Sequence, residues 1–103
     1  MKRYEARVFG NVFVWEAGKR RVLEPRLDLV RHSPTGLSWG YAGSGCAQLA
    51  LALLADVYDD EKALRLHQRF KEVAIATRHR DAPFEMTLAE VMTAVEAIEK
   101  EPG

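Results

Sequence analysis

Hydrophobic and polar residues alternate at the beginning of the chain, which predicts β-strands. In residues 3–9 (RYEARVF), every second residue from Tyr4 to Val8 lies on one face, and a period of two is typical of a strand with one buried side. Two more strands are predicted, at residues 12–15 (VFVW) and 21–24 (RVLE). The N-terminal third is therefore an antiparallel sheet of about three strands, which needs a helix against one face for stability.

Two helices are predicted after the sheet, and the first is apolar on every side. Residues 45–57 consist mainly of leucine and alanine with no polar stripe, which is typical of a helix that is buried all round. The second helix, at about residues 60–77, begins after a cap at Asp59. Its apolar stripe extends to Val73 and Thr77. We therefore expect the first helix to form the centre of the core.

A third helix is predicted near the end of the chain. Thr87 and Glu90 have the spacing of a capping box, which marks a helix start. Met92 belongs to the apolar stripe that this helix buries, and Pro102-Gly103 ends the helix.

Two segments have no periodic pattern and are predicted to be loops, residues 26–43 and residues 78–85. The order of the remaining elements, strands first and helices afterwards, favours an α+β fold. We expect a small antiparallel sheet packed on three helices, the first of them fully buried, in a single domain of residues 1–103.

Charged residues divide the chain into a basic beginning, a neutral middle and an acidic end. Residues 1–35 carry eight basic and four acidic side chains, residues 36–55 carry none, and residues 82–103 carry five glutamates and one lysine. The whole chain has a formal net charge of +0, so its overall charge does not favour a nucleic-acid or membrane partner. The two charged ends either complement each other or bind an external partner.

Cysteine content and apolar segments indicate the cellular compartment in which the protein is expected. The single cysteine, Cys46, excludes an internal disulfide and fits the reducing cytoplasm. Residues 1–20 lack the apolar run of a signal peptide, and the longest apolar run, residues 47–55, is too short to cross a bilayer. We therefore expect a cytoplasmic protein with no membrane partner. The histidines and Cys46 do not have metal-ligand spacing, so no metal or other cofactor is predicted.

The glycine-rich segment before the first helix has two interpretations. Residues 39–48 (WGYAGSGCAQ) place backbone N–H groups at a helix start, where anions bind. The segment lacks the lysine of a phosphate loop, however, and its glycines also suit a sharp bend capped by Ser44 or Gly45. A ligand site at this position would consist of Arg31, His32, Trp39, Tyr41, Gly43, Ser44 and Gly45.

The aromatic residues Trp39 and Tyr41 also have two interpretations. Both are expected to be largely buried against the first helix, since few other aromatics are available to complete the core. Alternatively, they present their rings together with basic residues to single-stranded nucleic acid. The basic residues assigned to a nucleic-acid interface on the N-terminal sheet are Arg3, Arg7, Arg20 and Arg21.

Residues 28–58 resemble an uncharacterised prokaryotic and phage family that is described only as a domain of unknown function. The shared motif, SPTGxxWGYxGSGxAQLALALL, begins at Ser33 and ends in the first helix. Later segments, ALRLHQRFKEVAIA and MTLAEV, are also similar, so the resemblance covers nearly the whole chain. It implies an uncharacterised domain and brings no known activity.

Two positions depart from the family motif. Cys46 stands where the family usually has proline, and Ala42 stands where it usually has glycine. Because proline fits the first turn of a helix, this departure supports a structural role for the segment and argues against Cys46 as a shared nucleophile. His67 faces the inner side of the second helix and is predicted to be a packed histidine.

No complete catalytic group is recognisable in the sequence, so catalytic residues are not assigned. The leading interpretation is a small accessory protein, phage or mobile-element related by resemblance, that binds a macromolecule, most simply a protein partner. Two alternatives stay open: nucleic-acid binding through the basic N-terminal sheet, and binding of a small anion at the start of the first helix. Sequence alone does not decide the oligomeric state.

Overall fold

The computed structural model describes residues 2–102 and contains one sheet and three helices. The strands are β1 (Arg3–Ala6), β2 (Phe13–Glu16), β3 (Lys19–Val22) and β4 (Phe84–Thr87). The helices are α1 (Ser44–Val57), α2 (Asp60–Phe70), which continues as a π-helical segment (Lys71–Ile75), and α3 (Leu88–Glu99). Met1 and Gly103, which belong to the predicted domain and to the predicted end of the third helix, lie outside the described residues.

The predicted α+β class is confirmed, but the sheet contains a fourth strand where a loop was expected. The strand order is β3-β2-β1-β4, all antiparallel, with Ala6 of β1 opposite Phe84 of β4. Phe84 and Met86 are buried while Glu85 is exposed, an alternation only four residues long. Because β4 leads directly into α3, its pairing with β1 fixes where α3 packs.

The first two connections of the sheet differ from the prediction. Ala17 and Gly18 have φ angles of 53° and 75° and form a two-residue turn, so β3 begins at Lys19 rather than at residue 21. Strand β1 ends at Ala6 rather than at residue 9. Val8, expected on the buried face, is 74% exposed because the chain has already left the sheet.

Helix α1 is the centre of the core, as its apolar sequence predicts. Every residue from Gly45 to Leu54 is buried. The inner face of the sheet contributes Tyr4 and Val14 to the same core, and α2 contributes Phe70. The helix is thus covered by strands, by other helices and by the long loop of residues 23–43.

Gln48 is a fully buried polar residue of α1, and it holds that loop. Its side-chain Oε1 accepts hydrogen bonds from the backbone N–H groups of His32 (2.7 Å) and Ser33 (3.0 Å). Its Nε2 donates to the backbone oxygens of Pro25 (2.7 Å) and Val30 (3.1 Å). One amide therefore satisfies four backbone groups of a segment that has no regular structure of its own.

Asp56, in the last turn of α1, connects the helix to the sheet. Its carboxylate accepts hydrogen bonds from Tyr4 Oη (2.7 Å), Arg21 Nη2 (2.9 Å) and Lys2 Nζ (3.2 Å). Burial acts to raise the pKa of Asp56, but the hydrogen bonds from Tyr4 and Arg21 and the charge of Lys2 outweigh it and leave the pKa below its ordinary value. The carboxylate therefore stays ionised and joins β1 and β3 to α1.

A π-helical segment changes which residues the second helix buries. Val73 and Thr77 were expected inside but are exposed, and Ala74 is buried instead. A π turn holds more residues than an α turn, so the residues that follow it rotate relative to the regular pattern. Met92 of α3 was also expected inside and is 42% exposed.

The predicted caps of α2 and α3 are confirmed. Asp59 accepts a hydrogen bond from the backbone N–H of Lys62, and Thr87 and Glu90 form both bonds of a capping box. In the part of the chain that the structure describes, no helix combines the length and hydrophobicity needed to span a membrane.

The expected burial is correct for Trp39, which is 1% exposed, and wrong for Tyr41, which is 37% exposed. Trp39→Ala should lower the free energy of unfolding by about 3–5 kcal/mol, because it removes a large side chain from the core. Urea denaturation measures the loss, and Tyr41→Ala serves as a control with a smaller effect. A melting temperature within about two degrees of the parent protein would contradict the packing role of Trp39.

Gln48→Glu should lower the free energy of unfolding strongly, although the two side chains are nearly equal in size. It would bring a carboxylate against the carbonyl oxygens of Pro25 and Val30, and an unpaired buried charge costs about 3–5 kcal/mol. Burial raises the pKa of a carboxyl group, and the protonated form can donate to a carbonyl, so the loss should shrink as the pH falls towards about 5. Denaturation at several pH values tests this. Gln68→Glu, the same change on the exposed side of α2, is the control and should cost little.

Candidate functional site

The sheet face that points away from the helices carries aromatic and basic side chains. Phe13 and Trp15 of β2 lie on this face, because Tyr4 and Val14 occupy the buried one. Across the strands, Phe13 is opposite Val22, and Trp15 is opposite both Arg20 and Arg3. We call this surface the outer face, and it consists of Arg3, Phe13, Trp15, Arg20 and Val22.

Two arginines of the outer face lie over its aromatic rings. The Arg20 guanidinium carbon is 4.5 Å from the centroid of the Phe13 ring, and that of Arg3 is 5.2 Å from the Trp15 ring. Such cation–π contacts hold the guanidinium groups against the sheet. The outer face thus consists of aromatic rings with guanidinium groups lying over them. At its edge, the Val22 side chain is 50% exposed.

A groove of about 810 Å³ opens at the end of the sheet and continues the outer face. Its walls come from the loop after β1 (residues 7–11), from residues 34–37 and from residues 83–85. Phe13 and Arg20 line both surfaces, so the groove and the outer face are continuous. The groove is amphipathic, since its lining includes Val8 and Phe9, which are 74% and 42% exposed, as well as Arg7.

Glu5 orients two residues of the outer face. Its carboxylate accepts hydrogen bonds from Arg3 Nη1 (2.6 Å) and from Trp15 Nε1 (2.5 Å). These two bonds, that of Arg3 above all, lower the pKa of Glu5 below its ordinary value. The charge of Arg3 is therefore balanced within the protein, and the Trp15 ring is held in one orientation.

The charge available for a ligand in the groove is positive. In the described part of the chain, Arg7 and Arg20 form no ion pair, and neither does Glu85 on the opposite wall. Two unpaired bases thus face one unpaired acid. A ligand with planar or apolar groups and negative charge would complement this surface.

The structure brings together three of the four residues that the sequence analysis assigned to nucleic acid. Arg3 and Arg20 lie on the outer face, and Arg7 lines the groove. Arg21 lies on the other face of β3, where it forms an ion pair with Asp56 at 2.9 Å. Whether any of these residues binds nucleic acid stays a prediction.

The first residue of α1, at the predicted anion site, is accessible to solvent, but the residue after it is tightly packed. The N-cap residue is Gly43 rather than Ser44 or Gly45, and it has no side-chain capping bond. Ser44 is exposed, whereas Gly45 is buried.

The other residues assigned to that site point in several directions. Trp39 is buried and donates through Nε1 to the backbone oxygen of Ala82 at 2.9 Å, and the Arg80 guanidinium lies over the exposed Tyr41 ring. Arg31 is exposed. The His32 ring contacts the His67 ring of α2, with their Nε2 atoms 3.0 Å apart. Ligand binding at the start of α1 stays a prediction.

Close packing accounts for two glycines of this segment. A Cβ atom at Gly45 would lie 2.2 Å from Ser38 Oγ. Gly40 has a φ of +85°, and a Cβ atom there would lie 2.5 Å from the backbone of Arg80. Both positions therefore need glycine for structural reasons, which supports the bend interpretation.

Sequence reasoning missed the aromatic pair Phe13 and Trp15, which it treated only as strand formers. The signal was present: two aromatic residues separated by one position must share a strand face, and the basic residues after the turn lie opposite them. It also missed the contact of His32 with His67. These two residues are 35 positions apart in the sequence, so no local pattern indicates their contact.

Cys46→Pro should be tolerated and should stabilise the protein by about 0.4–1 kcal/mol through the unfolded chain. Cys46 is the third residue of α1, where a backbone N–H has no partner within the helix. Chemical denaturation measures the change. Ala47→Pro is the matched control, because the Ala47 N–H donates to Gly43 at 3.0 Å and its loss should be strongly destabilising. Unfolding of the Cys46→Pro variant would contradict this prediction and would show that the buried site of the thiol, which lies 3.7 Å from Ser38 Oγ, does not accept proline.

Comparison with known proteins places this chain among uncharacterised domains. Neither the curated proteins nor the solved structures gave a match. A family model described as a family of unknown function matches residues 4–97, which is most of the chain. The expected membership of an uncharacterised family is thereby confirmed: the chain belongs to DUF6166, a family of unknown function.

Proposed function

We propose that this protein is a small accessory module that binds single-stranded nucleic acid on the outer face and in the adjoining groove. The observation that carries the proposal is the pair Phe13 and Trp15, which share the solvent side of one strand and are flanked by Arg20 and Arg3. Proteins that bind single strands combine aromatic stacking surfaces with a basic groove, and both elements meet here.

The spacing of the aromatic pair suits unstacked bases. Residues two apart on a strand are separated by roughly 6.6–6.8 Å, about twice the 3.4 Å rise between neighbouring nucleotides in a duplex strand. A single strand drawn out along β2 can therefore place one base at Phe13 and one at Trp15, each of which displaces or stacks on the guanidinium group that lies over the ring. Stacking of a base on an aromatic ring contributes about 1–3 kcal/mol, so two such contacts give a useful affinity without reading the sequence.

The unpaired arginines supply contacts for phosphate. Arg20 lies beside the aromatic pair and also lines the groove, where Arg7 provides a second guanidinium group. Guanidinium groups stack on planar rings and donate paired hydrogen bonds to phosphate oxygens. If each neutralises one phosphate, the logarithm of the binding constant should fall with the logarithm of the salt concentration with a slope of about −1.4.

The setting proposed for this activity is a phage or mobile element, which rests on the sequence resemblance alone, and the cytoplasm, which the single cysteine and the charged N-terminal segment favour. A protein partner is the alternative occupant of the same surface. The exposed apolar side chains of Val8, Phe9 and Val22 favour it, since such groups are typical of protein interfaces. In either case the protein would act by binding, without chemistry of its own.

Tryptophan fluorescence offers a direct test. Trp39 is 1% exposed, so quenching by an added oligonucleotide would report mainly on Trp15. We expect saturable quenching by oligo-dT or oligo-rU at low salt. Arg20→Ala should weaken binding roughly tenfold, which corresponds to about 1.4 kcal/mol.

Arg65→Ala is the matched control, because it removes the same charge from an exposed position on α2. It should leave the affinity within about twofold. Absence of saturable quenching up to roughly 10⁻⁴ M oligonucleotide, the weak end of non-specific binding, would contradict the proposal and leave the protein partner as the interpretation of the outer face.

A further inference from the structure

One wall of the groove belongs to the long loop before α1. Residues 34–37 line the groove, and two backbone hydrogen bonds of 2.9 Å join Leu37 to Gly10, which belongs to the loop after β1. Immediately before this wall, the loop is held at Gln48 by the backbone of His32 and Ser33. The His32 side chain provides a further attachment, to His67 of α2.

The two histidine rings meet through a direct hydrogen bond. Their Nε2 atoms are 3.0 Å apart and their ring centroids 5.1 Å apart. The centroid distance exceeds the nitrogen distance by nearly two ring radii, so the two nitrogens point at each other. They do not converge on a third point between the rings, as the ligands of a metal ion would.

Hydrogen bonding at the other nitrogen of His67 decides which ring donates. His67 Nδ1 lies 3.1 Å from the backbone oxygen of Ala63 and 3.0 Å from that of Leu64. A carbonyl oxygen only accepts, so Nδ1 carries a proton and the neutral ring has its lone pair on Nε2. His32 Nε2–H therefore donates to His67 Nε2.

Each proton that this arrangement takes up weakens it, and the second one breaks the bond. A proton on His32 Nδ1 leaves the Nε2 bond in place, but it puts a cation into a partly buried site near Lys71 and so already disfavours the closed form. When His67 is protonated as well, two N–H groups face each other across 3.0 Å, and the bond is replaced by repulsion between two cations.

The surroundings add positive charge and no compensating acid. Lys71 of the π-helical segment acts on His32, and the neighbouring loop residue Arg31 is exposed. Helix α1 carries no charged residue from position 44 to position 55. Among the described residues, neither ring forms an ion pair with a carboxylate.

We propose that the His32–His67 hydrogen bond is a proton-sensitive latch on the loop whose residues 34–37 form one wall of the groove, closed at neutral pH and opened by acid. Its consequence for binding rests on the proposed function, since displacement of this wall would lower the affinity of the groove for a nucleic acid. Gln48 keeps the loop attached when the latch opens, so the device changes the wall without unfolding the protein.

The direction of the pH effect follows from the environment of His32. Burial, and then the charges of His67 and Lys71, lower the pKa of His32 below its ordinary value of 6.5. The open or unfolded form therefore binds protons more readily than the closed form. The stabilisation is complete above about pH 6.5 and is lost as the pH falls through the lower pKa of the closed form.

Amide hydrogen exchange of Gly10 and Leu37 tests the latch without any ligand. After correction for intrinsic exchange rates, opening of the wall should increase about five- to tenfold between pH 7.5 and pH 5. His32→Gln should remove this pH dependence, because an amide can donate to neutral His67 or accept from protonated His67. His79→Gln is the control, since His79 is an exposed histidine whose Nδ1 accepts only a local bond from Asp81.

Exchange at Leu37 that does not change with pH, or that changes equally in His32→Gln, would overturn the latch. Oligonucleotide titrations at the same two pH values test its consequence. Affinity that falls in acid for the parent and not for His32→Gln supports regulation of the groove, and equal affinity at both pH values overturns it. Absence of oligonucleotide binding at either pH overturns the proposed function, while the exchange data still decide whether the latch exists.

Discussion

The fold depends on satisfying the backbone of a loop that lies against an apolar helix. Helix α1 is buried from Gly45 to Leu54, so every side of it must be covered. Strands and helices satisfy their own backbone groups, but the loop before α1 cannot, and an unpaired buried amide or carbonyl costs several kcal/mol. Gln48 resolves this conflict by presenting both a donor and an acceptor to the loop at the centre of an otherwise apolar surface.

The register of β3 determines which of its arginines has a structural role and which is available for binding. Arg20 and Arg21 are neighbours in sequence, yet Arg21 reaches Asp56 on the helix side while Arg20 lies over Phe13 on the solvent side. A shift of one residue in the β2–β3 turn would exchange these roles. The two-residue turn at Ala17 and Gly18 therefore determines both how α1 is joined to the sheet and which arginine the outer face presents.

The features that sequence reasoning predicted are those encoded within a short segment. The apolar character of α1, the cap at Asp59 and the capping box at Thr87 are local, and all three occur in the structure. Strand β4 is stabilised by pairing with β1, about 80 residues away, and its four residues carry too little alternation to be recognised. Prediction of the candidate site was limited in the same way. The sequence indicated its basic residues as candidates, but the groove and the histidine pair form only when segments distant in sequence come together.

The glycine-rich segment that prompted a ligand hypothesis also joins the loop to helix α1 through close packing. Ser33 Oγ donates to the oxygen of Gly36, Gly40 packs on the backbone of Arg80, and Gly45 packs on Ser38. These contacts are internal, and together with those of Gln48 they give several residues of the shared motif a structural role. Ligand binding at the start of α1 stays a prediction, and the outer face is a separate surface on which aromatic and basic side chains lie on the solvent side of the sheet. The loop connects the two regions, because the same anchors that cover α1 also hold residues 34–37 in place as a wall of the groove that continues the outer face.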